Sequence, residues 1–349
     1  MKTAEILEKL PGVLLPWYWE NKRDLPWRKD RDPYHIWLSE IMLQQTRVEA
    51  VKGYYIRFLN KVPDIVSLAN ADDELLHKLW EGLGYYSRVR NLKKAAVVVM
   101  EQYSGVFPDT YEKVLSLPGI GEYTAGAISS IAYNQRTPAV DGNVLRVISR
   151  ITNDPSPVDQ EATKKQVRTN LQAVYPQEAG DFTQALMELG ATVCLPNGAP
   201  NCSICPCRGL CVGYQQGCAE RLPVKSPKKQ RRKEDMIVLI LRCEERYALE
   251  KRPSRGLLAD LWQFPNFPGN GELNQIVSYV EKSGLKPKEI LRRVEKKHIF
   301  THVEWHMSGV YMEVSNMTDA FVWLTAKEIN EQTALPTAFR QFWEEIDYV

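Results

Sequence analysis

The chain has 349 residues, 45 Lys and Arg against 43 Asp and Glu, and 44% hydrophobic residues, enough for two or three folded domains. No apolar run approaches the ~18 residues of a membrane span, and Glu5, Lys9 and Pro11 break up the apolar residues of the N-terminus, which therefore does not read as a signal peptide; the protein is expected in the cytosol. A net charge of +2 excludes a globally basic nucleic-acid binder; a DNA surface has to come from local clusters such as Arg88, Arg90, Lys93 and Lys94, or Lys225 to Lys233.

A helix is predicted over 4–20, ending in Trp17, Tyr18 and Trp19. Arg23-Asp24-Leu25-Pro26-Trp27-Arg28 follows as an extended segment, because Pro26 disfavours helix around it. Asp32-Pro33 starts the next helix, with Asp as N-cap and Pro in the first turn. There Ile36, Trp37, Glu40, Ile41 and Gln44 share one face, so Glu40 sits inside an apolar stripe. Such a carboxylate is either bonded to backbone or to an arginine such as Arg28, or it lines a pocket. In a pocket, desolvation raises its pKa towards that of a general acid working near neutrality. The segment Leu79 to Arg88 pairs glycine turns with aromatics and bases. Tyr85 and Tyr86 are either core residues or, on a loop, wedges that enter a base stack.

From Leu115 to Asn143 the chain reads as two helices about a Gly-x-Gly turn. The first, Tyr111 to Leu117, stops at Pro118, and the second starts at Glu122. Gly119 and Gly121 let backbone pass close to an outside group, and the free N–H groups of the second helix face the same turn, as in an anion site. The spacing describes a helix-hairpin-helix holding a nucleic-acid backbone, or an ordinary tight turn between packed helices. Asp141 precedes the periodic run Val144, Leu145, Val147, Ile148 and Ile151, where an N-cap belongs. The helix start favours its charged form, which suits it to stabilising positive charge.

Six of the seven cysteines lie between Cys194 and Cys218, a density that in a cytosolic chain argues for metal rather than disulfides. Cys202 and Cys205 form a Cys-x2-Cys pair, with Cys194 upstream and Cys211 downstream; the spacing alone leaves an iron-sulfur cluster and zinc open. Residues 221–235 are basic, contain prolines and are nearly free of apolar residues, which describes a solvated linker. Beyond it, strands are expected at Met236 to Leu241, Tyr247 to Glu250, His298 to Thr301, Val310 to Val314 and Phe321 to Leu324. With helices at Leu273 to Lys282 and Pro336 to Ile346 they make an α+β domain.

Leu-Pro-Gly-Ile-Gly at 117–121 followed by Val140-Asp141-Gly142-Asn143-Val144 resembles the helix-hairpin-helix DNA glycosylases and, within them, the adenine DNA glycosylases of the MutY family. The likeness covers nearly the whole chain and is most specific in its first two-thirds. It implies a mainly α N-terminal catalytic region with an iron-sulfur cluster module, plus a C-terminal α+β Nudix-like domain. The boundaries expected are 1–220 for the helical region, with a six-helix module at 26–133 containing the hairpin 111–133, and a cluster module at 1–25 and 134–220. A linker at 221–235 and the second domain at 236–349 complete the chain.

Residue by residue, the resemblance carries further. Ser39 to Arg47 is similar to the family's catalytic-glutamate helix, so Glu40 is expected to protonate the base and Asp141 to stabilise an oxocarbenium ion, with Tyr123 and Asn143 orienting them. Leu25, Trp27 and Arg28, with Gln184, are expected to line an adenine pocket. Gln45, Tyr85, Arg88, Gly119 and Gly121 are expected to contact double-stranded DNA. Tyr123 occupies the place where endonuclease III-like relatives carry a lysine nucleophile; tyrosine forms no Schiff base, which implies a monofunctional enzyme that leaves an abasic site. Lys113 and the amino terminus remain as adventitious nucleophiles. Cys194, Cys202, Cys205 and Cys211 are the expected ligands of a [4Fe-4S] cluster, although the first gap is one residue longer than the family's Cys-x6-Cys; Cys207 and Cys218 are spare. Gly256 to Pro265 resembles a Nudix-type fold, but the magnesium-holding places fall on Val277, Ser278, Glu281 and Lys282; one glutamate of three survives, which argues against hard-cation binding. Phe300-Thr301-His302 matches a Phe-Ser-His loop that reads 8-oxoguanine, with Thr for Ser. The expected partner is DNA carrying adenine opposite 8-oxoguanine or guanine, bound by a monomer. A bifunctional pyrimidine-lesion glycosylase and a non-catalytic DNA-binding protein are the competing readings.

Overall fold

The computed structural model describes residues 3–196, 198–227 and 230–346. Its contacts divide into two units, Met1–Asn70 with Asn91–Lys228, and Ala71–Arg90 with Lys229–Val349. The second unit thus takes in 71–90, which the sequence reading counts with the helical module.

The helices in chain order are α1 (Thr3–Asn21), α2 (Pro33–Leu43), α3 (Val48–Lys61), α4 (Ile65–Asn70), α5 (Asp73–Trp80), α6 (Ser87–Tyr103), α7 (Tyr111–Leu115), α8 (Glu122–Tyr133), α9 (Gly142–Thr152), α10 (Glu161–Val174), α11 (Ala179–Thr192) and α12 (Val212–Gln215). Asp32 caps α2, its Oδ1 accepting from Tyr34 N at 2.8 Å with Pro33 in the first turn, as the sequence predicts. The preceding segment differs from its extended prediction. Only its approach at Leu25 is extended, and Pro26–Arg28 closes into a 3-10 turn, because a proline opening a helical turn forfeits no hydrogen bond.

α7 ends two residues before the predicted Leu117, and the chain turns through 116–120 into α8. Gly119 has φ +76°, and a Cβ there would lie 2.5 Å from Asn91 Cβ, so two separate constraints demand glycine at this turn. Gly126 acts on the other side of α8: a Cβ would lie 2.4 Å from the Pro138 carbonyl oxygen. This close approach seats α8 directly on the segment that leads into Asp141. Behind it, Leu10 and Leu14 of α1, Val144, Val147 and Ile151 of α9, and Phe182 and Leu186 of α11 form one buried cluster.

Within 221–235, residues 222–227 and 230–231 carry no regular secondary structure, but the stretch is tied down at points. Val158 N donates to Val224 O at 3.0 Å and Ser226 N to Asp159 Oδ1 at 2.8 Å, while a strand already begins at Arg232. Lys228 and Lys229 of that stretch, Asn197 of the cysteine loop, and the amino-terminal Met1 lie outside the described residues.

The second unit is built on β1 (Arg232–Cys243), β2 (Arg246–Lys251), β3 (Trp262–Gln263), β4 (Asn266–Pro268), β5 (Pro287–Ile299), β6 (Val303–Val314) and β7 (Val322–Thr325), with α13 (Leu273–Lys282), α14 (Ala326–Gln332) and α15 (Thr337–Trp343). The sheet order is β3-β2-β1-β6-β5, with β4 beside β1 and β7 beside β2. β1 and β6 run parallel, Leu239 opposite Val310, and are covered on both faces, which is why 236–241 is a continuous apolar run. Ile237, Leu239 and Leu241 face α13; Met236, Val238 and Ile240 face α15. β5 is the largest departure from the predicted strands. It is an edge strand whose Lys, Arg and Glu remain accessible, so it lacks the apolar alternation by which the others are read.

Candidate active site

The first unit contains a cavity of about 720 Å³ lined by residues from five separated parts of the chain. Leu25, Trp27 and Arg28 enter from the 3-10 turn, Glu40 and Gln45 from α2 and its end, Tyr123 from α8 and Asp141 and Asn143 from the start of α9. α11 supplies Gln184 and Glu188. Every residue expected for catalysis and for the adenine pocket therefore lies on one surface. Gln45 also lines it, with a left-handed backbone (φ 58°) that a non-glycine residue adopts only when its surroundings impose it.

Glu40 is 6% exposed. Its partner is Tyr123, whose hydroxyl donates to Glu40 Oε2 at 2.5 Å, and not Arg28. Burial pushes the Glu40 carboxyl up to about 7 against the Tyr123 hydrogen bond, with the Asp141 charge adding to the rise. At neutral pH it can carry a proton and release it. Burial and the two neighbouring carboxylates push the Tyr123 hydroxyl far up, so it stays protonated and donates.

Asp141 caps α9 as expected: Oδ1 accepts from Val144 N and Oδ2 from Asn143 Nδ2, both at 2.7 Å. The expectation that the helix start would dominate its ionisation is corrected. Burial pushes its carboxyl up from the ordinary value, and the hydrogen bonds from Val144 and Asn143 only oppose this. Asn143 is held in turn by Arg146, whose Nη2 donates to Asn143 Oδ1 at 2.9 Å and to Gly190 O at 2.8 Å, while Nε donates to Cys194 O at 2.9 Å. A Cβ on Gly190 would come within 2.8 Å of Asn143 Cβ, so this approach of α11 to α9 requires glycine.

Two cavity residues escaped the sequence reading, Glu188 and Arg23. Glu188 is fully buried and accepts from Arg23 Nε at 2.6 Å, Arg23 Nη2 at 3.0 Å and Arg28 Nη2 at 2.8 Å. Burial pushes its carboxyl up, but the hydrogen bonds and charges of the two arginines outweigh this and hold it below its usual value. One cavity thus has a carboxyl able to donate a proton and another locked as an acceptor, the separation by environment that acid-base sites use. The signal was present: Gln184 and Glu188 stand four residues apart on an apolar helix, the pattern that exposed Glu40.

The remaining expected positions lie elsewhere. Gly121 borders a neighbouring groove that shares Tyr123 and Asp141 with the cavity. Lys113 is exposed and lines neither. In the second unit Phe300, Thr301 and His302 form the turn between β5 and β6, closed by Phe300 N donating to Val303 O at 2.8 Å. The Thr301 hydroxyl stands 3.3 Å from that of Tyr85, which has φ 49° and is 46% exposed. Arg88 is buried, with Nη2 spent on Leu83 O and Gly84 O, and Arg90 is paired with Asp260. These two cations of the predicted basic cluster brace their own unit, a role that charge counting does not distinguish from phosphate binding.

Cys194, Cys202, Cys205 and Cys211 line one small cavity, and Cys207 lines it too. Cys218 turns away to Asn153 Oδ1 at 3.0 Å. Among the described residues no group of three or more His, Cys, Asp or Glu could hold a metal ion.

Residues 38–177 match the model for the HhH-GPD superfamily base excision DNA repair protein, and residues 236–345 match the NUDIX domain. Fold and cavity together define a base-excision DNA repair protein. The solved structure of a thermostable thymine-DNA glycosylase aligns with 61% of this chain and 98% of its own at TM-score 0.56 and 29% identity. The adenine DNA glycosylase of Arabidopsis thaliana is 36% identical over 88% of this chain, which spans 57% of that protein's length. The adenine DNA glycosylase of Homo sapiens is 35% identical over 95% of this chain and is covered for 73% of its length. The chain belongs to the adenine DNA glycosylases. No helix of the described residues is long and apolar enough to cross a membrane.

Proposed function

We propose that the protein hydrolyses the N-glycosidic bond of adenine mispaired with 8-oxoguanine or guanine in duplex DNA and leaves an abasic site. The observation that carries this reading is the meeting of Glu40, Tyr123 and Asp141 on the wall of one cavity with Trp27, Arg28, Gln184 and Glu188. The adenine is flipped from the stack, at a cost lowered because its pair is mismatched. The ionised Glu188 accepts from the exocyclic amine, and Trp27 and Leu25 supply apolar walls. Glu40, protonated near neutrality, gives its proton to N7 and improves the leaving group. The C1′–N9 bond breaks, the bonding electrons leave with the base, and the Asp141 carboxylate faces the positive charge on the sugar until water adds. Tyr123 and Asn143 hold the two carboxylates in place.

With tyrosine at 123 and Lys113 outside the cavity, neither supplies the amine that strand cleavage through a Schiff base needs. Gln45, Tyr85 and the Gly119 and Gly121 turn take the duplex, and Phe300, Thr301 and His302 read the base opposite adenine. The second unit acts as a reader: the Nudix positions Val277, Ser278 and Lys282 offer magnesium no carboxylate.

Cys194, Cys202, Cys205 and Cys211 are assigned to a [4Fe-4S] cluster, which when bound ties four chain positions together. All four line one shared cavity, together with Arg150 and Arg208, and this common wall is what supports a single cofactor held by all of them.

Single-turnover excision on duplexes with adenine opposite 8-oxoguanine, guanine or thymine, and with thymine glycol, tests the reading. Excision of adenine from the first two, with strand breaks only after alkali, is the expected result. Stoichiometric trapping of enzyme on DNA by borohydride would refute the monofunctional assignment, and excision of thymine glycol alone would refute the substrate.

A further inference from the structure

α9 places a second arginine one turn beyond Arg146. Arg150 is 2% exposed, among the largest fully buried side chains of the protein. Its Nε donates to Leu222 O at 2.9 Å, and its Nη1 donates to Leu195 O at 2.8 Å and to Cys194 Sγ at 3.3 Å. Its own carbonyl oxygen faces Cys211 Sγ at 3.3 Å, so Arg150 touches two of the four expected ligands. A Cβ on Gly213 would lie 2.5 Å from that oxygen, so α12 is packed hard against it.

No carboxylate among the described residues pairs with this guanidinium. Arg146 has the Asp141–Asn143 pair nearby, and Glu188 serves Arg23 and Arg28; the partners of Arg150 are two neutral carbonyls and a sulfur. The cavity it lines holds five cysteines and two arginines and no Asp or Glu. A buried cation without a counter-charge is costly, and natural interiors supply one. Here the missing negative charge can come only from the thiolates and whatever they bind.

We propose that Arg150 is the buried counter-charge of the metal centre and sets its reduction potential through the Nη1–H···Sγ bond to Cys194. The inference rests on the cluster assignment above. Hydrogen bonds to ligand sulfurs and nearby positive charge both favour the more electron-rich state of an iron-sulfur centre. Arg150 is a positioning and tuning residue, remote from the glycosidic bond.

The test compares the full-length protein with its Arg150→Met and Arg150→Lys variants, by iron and sulfide content, the visible band, and protein-film voltammetry of the one-electron oxidation with and without duplex. Loaded Arg150→Met is expected at a more negative potential, with the oxidised-to-reduced ratio at fixed potential raised about tenfold, which is about 59 mV for one electron. Arg150→Lys keeps the charge, loses the planar fork, and should shift the same way by less. If Arg150→Met fails to fold, the Lys variant alone decides: a potential equal to that of the parent overturns the proposal. A parent protein carrying zinc or no metal overturns the cluster assignment instead, whatever the variants do.

Discussion

Glu40 and Glu188 are the same side chain, both buried against one cavity, and their neighbours give them opposite chemistry. Glu40 has a hydroxyl for a partner and Asp141 for a neighbour, so burial wins and its pKa rises to about 7. Glu188 has two arginines and stays ionised. For Glu40 the folded state prefers the protonated form. Its contribution to stability is full below the ordinary glutamate range and is lost as pH rises through about 7, a difference of about 3 kcal/mol. Glu40→Gln is therefore expected to melt several degrees above the parent at about pH 8.5 but not at about pH 5, while excision falls roughly 10²- to 10⁴-fold. Parent excision should decline above about pH 7 as the proton is lost; a rate that is flat from about pH 6 to pH 9 would contradict the acid role. Glu188→Gln should cost about 2 kcal/mol of stability and weaken discrimination for adenine, because Arg23 and Arg28 lose their common partner. Denaturant melts and competition with other flipped purines would show both effects.

At the scale of elements, the hairpin and the start of α9 set the geometry. The turn at Gly119 is possible because of a positive φ and because Asn91 closes on it, and α8 reaches the Asp141 segment because Gly126 has no side chain. Gly119→Ala meets both a left-handed backbone and a 2.5 Å contact. The expected loss is about 1–2 kcal/mol of stability from the backbone alone, with duplex binding weakened to a similar degree for mispaired and fully paired DNA. If circular dichroism and thermal melts match the parent while binding is lost only on the mispaired duplex, the hairpin reads the lesion rather than the backbone.

At the scale of the whole molecule, the notable feature is that residues 71–90 belong with the second unit. Glu81 accepts from Leu335 N at 2.9 Å and from Arg340 and pairs with Lys78, while Glu74 takes Lys251 and the Trp262 indole. These contacts fix the loop that carries Tyr85 beside Thr301. Glu81→Ala is expected to raise amide exchange across 76–86 and to reduce the preference for 8-oxoguanine over guanine, leaving excision of adenine opposite guanine near its parental rate. Loss of both activities together would show that the segment serves general folding and not lesion reading.

By itself the sequence determined the first helix, the helix that opens at Asp32, the hairpin, the Asp32 and Asp141 caps, Glu40 on its apolar stripe and the division into a helical and a strand-rich part. All of these follow from local periodicity, capping chemistry and motif spacing, which act over a few residues. The tertiary structure decided which charges are spent and which are available. Arg88 turned inward, Arg150 was buried, the Asp141 carboxyl was pushed up by burial against its capping hydrogen bonds, and Glu188 was locked by arginines some 160 positions away. Edge strand β5 also emerged only in three dimensions. A hydrogen-bond partner distant in sequence, and the solvent excluded with it, leave no periodic trace in the chain, yet they control the pKa of a carboxyl and the pairing of a backbone strand.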